Sequence, residues 1–191
     1  MGRRAVLASG SAALLASLAL VGSGPAGDGG REPTATFGLD EARAFDEFPL
    51  YSAGGLVDGL PLVAVLRRED AADFVSFIYG DCVPSTDSGC VPPAEIQVWP
   101  SCRRHLALYD AAPEAGPTPE RVTVRGVPAA FLEGGTRIEI QTRSSTVVVF
   151  ADSRERALRL ASALRPVGEP SLPGPSLPAP LPGAVEGRLA C

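Results

Sequence analysis

Apolar and polar positions alternate most regularly between Arg121 and Arg165. Val127 to Glu133 and Thr136 to Thr142 flank Gly134-Gly135, and a glycine pair between two alternating runs predicts a β-hairpin. In that register Phe131 faces Ile138 and Ala129 faces Ile140, while Arg137, Glu139 and Gln141 point the other way, so one face goes to a core and the other to water. A tight turn at Arg143-Ser144-Ser145 leads into Thr146 to Phe150, which is apolar on both faces and reads as a central or helix-covered strand. Asp152, with Glu155 three residues on, offers an N-cap to the helix that follows. Ala157, Leu160, Ala161 and Leu164 form its apolar stripe, and Pro166 stops it.

Upstream, Leu60 to Leu66, Phe74 to Tyr79 and Ala94 to Trp99 read as strands. In the last of these Ile96 and Val98 face one way, and Glu95, Gln97 and Trp99 the other. Asp40 to Glu47 suggests a short helix with an acidic start, closed by Pro49. Strands followed by a packing helix give an α+β class: an antiparallel β-meander sheet with a C-terminal helix on it, in a single domain over residues 39–167. Residues 28–38, rich in Gly, Pro and charge, read as a flexible linker. Residues 168–191 form a proline-rich tail that repeats Ser-Leu-Pro at Ser171 and Ser176, predicts extended polyproline-like backbone, and ends in Cys191.

Residues 1–27 place Arg3-Arg4 ahead of an uncharged run from Ala5 to Val21 and then a small, breaking Gly-Ser-Pro-Ala stretch. That order is a secretory signal. The apolar run, about 17 residues, sits at the short limit for a membrane span, so a cleaved peptide is favoured over a retained N-terminal anchor. Arg3-Arg4 also resembles the start of a twin-arginine signal. No cysteine lies near the cleavage region, which disfavours a lipid anchor. At 191 residues, with 45% hydrophobic and 20% charged, the chain has room for one globular domain with a modest core.

Export changes the reading of the cysteines. Cys82, Cys90, Cys102 and Cys191 make an even count, which in an oxidising compartment reads as two disulfides with three possible connectivities. Cys82 and Cys90 flank a turn-rich segment, so their pairing is cheap in loop entropy. Cys102 is then left for Cys191. Zinc is the alternative, but the cysteine spacing matches no standard ligand set, and the lone histidine, His105, adds little.

Candidate chemistry is sparse. The net charge of −5 disfavours nucleic acid as a partner. All 17 basic residues are arginine, and neither Lys nor Asn occurs, a codon signature of a GC-rich genome. No P-loop lysine, Schiff-base lysine or N-glycosylation sequon is therefore possible. Dinucleotide, zincin and EF-hand motifs are missing from the sequence, and no nucleophile elbow accompanies His105, which reads as a solvated side chain beside a disulfide. Glu133 and Glu139 fall on opposite hairpin faces, so they do not pair as glycosidase carboxylates. Asp70, Asp73 and Asp81 flank a strand and could hold a cation, but charged strand ends are more often simply solvated. Tyr79 and Trp99, near the Cys82–Cys90 loop, form a possible binding patch, with packing into the core as the bland alternative.

Val75-Ser76-Phe77-Ile78-Tyr79-Gly80-Asp81-Cys82, Gly89-Cys90 and Glu95-Ile96-Gln97-Val98-Trp99-Pro100-Ser101-Cys102 resemble segments of an exported protein family of high-GC actinobacteria that carries no assigned activity. The likeness runs from about Phe48 to Cys191. In pattern, the strands followed by the helix Arg154 to Arg165 resemble extracytoplasmic domains of anti-sigma and envelope-sensing proteins. Together these imply a secreted or envelope-located, non-enzymatic binding or accessory domain without a cofactor or metal. Its partner would be an envelope protein or a small ligand, and it would touch a membrane only through an uncleaved N-terminus. The alternative is a small secreted hydrolase using carboxylates that the sequence does not single out.

Overall fold

The computed structural model describes residues 37–69, 72–84, 89–110, 118–168 and 174–191. The signal, the linker up to residue 36, Asp70, residues 85–88 of the Cys82–Cys90 loop and the first Ser-Leu-Pro repeat lie outside the described residues.

Among the described residues, ten strands and two α-helices follow in the order α1 (Leu39–Ala44), β1 (Tyr51–Ser52), β2 (Leu56–Val57), β3 (Leu60–Arg68), β4 (Phe74–Tyr79), β5 (Ala94–Pro100), β6 (Glu120–Val124), β7 (Val127–Leu132), β8 (Arg137–Thr142), β9 (Ser145–Ala151), α2 (Arg154–Ala163) and β10 (Arg165–Pro166). Eight of the strands form one sheet in the order β2-β3-β4-β5-β9-β8-β7-β6, and every neighbouring pair is antiparallel. The strands do not run as one continuous meander. β2 to β5 form one hairpin-linked run and β6 to β9 another. The chain leaves β5 at the middle of the sheet and returns at the far edge as β6. β1 and β10 pair separately, Ser52 opposite Arg165.

The expected hairpin register holds, with Ala129 opposite Ile140 and Phe131 opposite Ile138. The turn between them is longer than a glycine pair. A 3-10 turn over Glu133–Gly135 precedes Thr136, with three successive positive φ angles at Glu133, Gly134 and Gly135. β9 is central, between β5 and β8, as its two apolar faces predicted. The cap of α2 differs from expectation: Ser153, not Asp152, accepts from the Arg156 amide, at 3.3 Å. Asp152 instead pairs with the Arg156 guanidinium, a local i,i+4 contact that frees the shorter side chain to cap.

One sheet face carries the main core. Val75, Phe77, Ile96, Val98, Val147, Val149, Ile138 and Ile140 meet Ala157, Leu160, Ala161 and Leu164 of α2. Phe48, Leu50 and Tyr51 from the N-terminal segment complete the layer. Phe37, at the end of the stretch read as linker, already belongs to the folded part, with its ring edge-on to Phe45 at 5.9 Å. Both expected cystines form, Cys82–Cys90 and Cys102–Cys191, and the described residues hold no free thiol. Two such bonds are typical of proteins outside the cytoplasm. Among the described residues no helix is long and apolar enough to cross a membrane.

The tail is part of the structure from residue 174 on. Leu177 N–H donates to Arg125 O (2.9 Å), Thr142 Oγ1 donates to Pro178 O (2.7 Å), and Leu181 N–H donates to Arg143 O (2.9 Å). Ala184 and Leu177 are buried. The tail thus crosses the turn ends of the β6–β9 half before Cys191 reaches Cys102.

Candidate functional site

The outward face of the β7–β8 hairpin was expected to be wet, and along β8, beside β9, it is not. Glu139, Gln141 and Thr146 are fully buried there, beneath the segment Ser101 to Tyr109 that follows β5. Gln141 holds that cover in place: its amide nitrogen donates to Ser101 Oγ (2.8 Å) and Thr146 Oγ1 (2.9 Å), and its oxygen accepts from Leu106 N–H (3.1 Å). Glu139 takes Arg104 in a two-pronged pair, Tyr109 Oη–H at 2.5 Å, and Arg137 at 3.5 Å. Burial works against the Arg104 charge, and the hydrogen bonds and charge of Glu139 outweigh it, so its pKa rises. The Tyr109 hydroxyl is pushed up to about 12, first by burial and then by Glu139, and stays protonated as a donor. Both oxygens of this carboxylate accept hydrogen bonds from the 101–110 segment, so it acts as an anchor for that segment.

The aromatic residues flagged by the sequence do not come together. Tyr79 pairs with Ala94 at one end of β4–β5, while Trp99 lies toward the other end, where its ring stacks on Phe74 at 4.2 Å. Tyr79 faces the main core, fully buried, and its oxygen accepts from Ala53 N–H at 2.9 Å. Burial raises the Tyr79 pKa to about 12. Trp99 faces the opposite side, with the Arg104 guanidinium 5.2 Å from its ring. A seven-residue strand puts odd and even positions on opposite faces, so Tyr79 and Trp99 form no single patch. His105, read as solvated, is partly enclosed: a Cβ at Gly187 would overlap its ring, and its Nδ1 is buried without a partner. The described residues bring no three metal-ligating side chains together. Of the acids proposed for a cation, Asp73 lies 3.9 Å from Arg67, and its Oδ1 is buried without a hydrogen-bond partner.

A cleft opens elsewhere, where α1, the β1–β10 pair and the β2–β3 hairpin meet. Its volume is about 280 Å³, and it is lined by Leu39, Arg43, Ser52, Gly54, Gly55, Leu62, Arg165, Pro166, Val167 and Gly168. Leu62, Pro166, Val167 and Leu39 give it an apolar floor. Its charged members are Arg43 and Arg165, and no carboxylate lines it. Ser52 is buried, with its hydroxyl accepting from Gly54 N–H at 3.4 Å. The local chain explains the opening: Gly54 has φ +87°, and a Cβ there would overlap the Arg165 guanidinium, so only glycine lets that side chain lie across the β1 end. Sequence reading missed all of these residues. The signal available was the Gly54-Gly55 pair and an arginine directly after α2, both too common to single out.

No protein-family profile, no curated protein and no solved structure matches the chain.

Proposed function

We propose that this chain is an exported, single-domain binding module of the cell envelope or extracellular space, without catalytic activity, that takes a small ligand in the cleft between α1, β1–β10 and the β2–β3 hairpin. The observation that carries the reading is the cleft itself: a concave site on a cross-linked scaffold, whose lining divides between apolar side chains and the polar groups of Ser52, Arg43 and Arg165. Its lining holds Ser52 and two arginines but neither a histidine nor a carboxylate to serve as a base. The hydrolase alternative needs two convergent carboxylates. Glu139 is consumed by Arg104, Arg137 and Tyr109, while Glu95 accepts from Ser76 and Gln97 on the same sheet face. A small-molecule fragment screen by amide NMR on the oxidised protein tests the proposal. Shift changes concentrated at Ser52, Gly54, Gly55 and Gly168 support it. Changes concentrated at Glu95 and Glu139, or turnover of ester or glycoside substrates that is lost in Glu95→Gln, contradict it.

A further inference from the structure

We infer that the cleft is built for a small organic anion, a carboxylate on a short apolar body, with Arg165 as its principal partner and Arg43 as the second. This inference rests on the reading of the cleft as the ligand site and adds the ligand's chemistry. Most partly buried guanidinium groups elsewhere in the described chain meet counter-charges; Arg125 instead donates to the carbonyls of Leu164 and Gly174, and Arg68, Arg103 and Arg143, which have no carboxylate partner among the described residues, are exposed. Arg104 and Arg137 have Glu139, Arg154 has Glu120, Arg156 and Arg159 have Asp58, and Arg121 has Asp110. Arg165 is partly buried and has no carboxylate partner among the described residues, although the whole chain carries a net charge of −5. A half-desolvated cation without a counter-charge is costly, and an incoming carboxylate removes that cost. Its planar fork suits a bidentate oxyanion. Arg43 contributes from α1. Its pair with Asp40 at 2.6 Å joins two well-exposed side chains, a weak contact that a ligand can replace. The remaining lining sets the other half of the specificity: Leu39, Leu62, Pro166 and Val167 cover apolar carbon, and about 280 Å³ lies just below the usual range for drug-sized ligands.

The test uses the secreted protein with both cystines intact and three probes, butyrate, its neutral match butyramide, and inorganic phosphate, read by calorimetry and amide NMR. The expected result is saturable butyrate binding that shifts Ser52, Gly54, Gly55 and Gly168, with butyramide at least about tenfold weaker, the scale of one lost charge-assisted bond. Phosphate, which cannot use the apolar floor, should bind more weakly than butyrate. Arg165→Gln should weaken butyrate about tenfold or more, and Arg165→Lys, which keeps the charge and loses the fork, by an intermediate factor. Arg43→Gln on exposed α1 gives an independent reading should position 165 not tolerate change, and it should also weaken butyrate. Equal binding of butyrate and butyramide at the cleft overturns the anion assignment while leaving the cleft a ligand site. Phosphate binding as tightly as butyrate overturns the apolar half. No shift at the cleft from any probe overturns both this inference and the function it rests on.

Discussion

Removing the Cys102–Cys191 bond should cost more stability than any other covalent change to the chain. Its two ends are 89 residues apart, whereas those of Cys82–Cys90 are 8 apart, and the two loops do not overlap in sequence. In the loop-entropy description, the long closure removes about 4.5 kcal/mol of unfolded-state freedom and the short one about 2.5 kcal/mol, a difference of about 2 kcal/mol. The native state loses something further. The tail's bonds to Arg125, Thr142 and Arg143, and the Ala107 N–H to Val185 O contact at 3.2 Å, are tethered at the far end only by this cystine. Urea unfolding of Cys102→Ser/Cys191→Ser and of Cys82→Ser/Cys90→Ser, each against the parent protein, measures both terms. The long-loop variant should lose at least about 2 kcal/mol more than the short-loop variant, and amide exchange should accelerate at Leu181 and Ala107 in the long-loop variant alone. Equal losses, or unchanged protection at those two amides, would refute a tail stapled across the β6–β9 turns.

Three further outcomes follow from the charged and phenolic groups. Glu139→Gln leaves Arg104 and Arg137 facing a neutral amide in a buried site and should destabilise by roughly 3 kcal/mol in chemical denaturation; a loss under about 0.5 kcal/mol would mean the carboxylate anchors nothing. Asp58 sits in the β2–β3 turn with φ 52°, and Arg159, then Arg156, hold its pKa below the ordinary 3.8. A depressed folded pKa adds stability that is present above the unfolded value and is lost as pH falls through the folded one. The parent protein should therefore lose melting temperature below pH 4 more steeply than Asp58→Asn, which keeps the turn conformation; parallel acid limbs would contradict this. Burial pushes the Tyr79 and Tyr109 hydroxyls from the ordinary 10 up to about 12 in the folded state, so the stability they add is present below pH 10 and lost as pH rises toward 12. Tyrosinate absorbance should rise together with unfolding over that window, and ionisation of all three tyrosines near pH 10 in folded protein would be the contrary result.

What could be read from the chain beforehand was whatever repeats over short distances. The β7–β8 register came from strict alternation around a glycine turn, the central place of β9 from its two apolar faces, and the inner stripe of α2 from its 3.6-residue spacing. The cystine pairing came from loop length. What escaped depends on segments far apart in sequence. Glu139 and Gln141 alternate with Ile138 and Ile140, and nothing local says that Arg104, 35 residues away, will cover them. The Cys102–Cys191 pairing placed the end of the tail beside the post-β5 segment, without indicating which polar positions that segment would enclose. Tyr79 and Trp99 were joined by sequence nearness to cysteines, and strand parity separated them. The cleft draws on α1, the chain around Ser52 and Gly54, the start of β3 and the residues after α2, four places with no motif in common.

The proposed function places the chain in oxidising surroundings, and peptide mapping of the protein recovered from a host that expresses it with its own N-terminus tests that directly. Alkylation before digestion marks any thiol. Trypsin leaves Cys82, Cys90 and Cys102 on one peptide between Arg68 and Arg103, so added cuts at Asp87 and Glu95 are needed to separate them. The account predicts material outside the cytoplasm, lacking Arg3 and Arg4, with Cys82 linked to Cys90, Cys102 linked to Cys191 and no alkylated cysteine. Cytoplasmic protein that retains its first residues and carries four alkylated cysteines would contradict it.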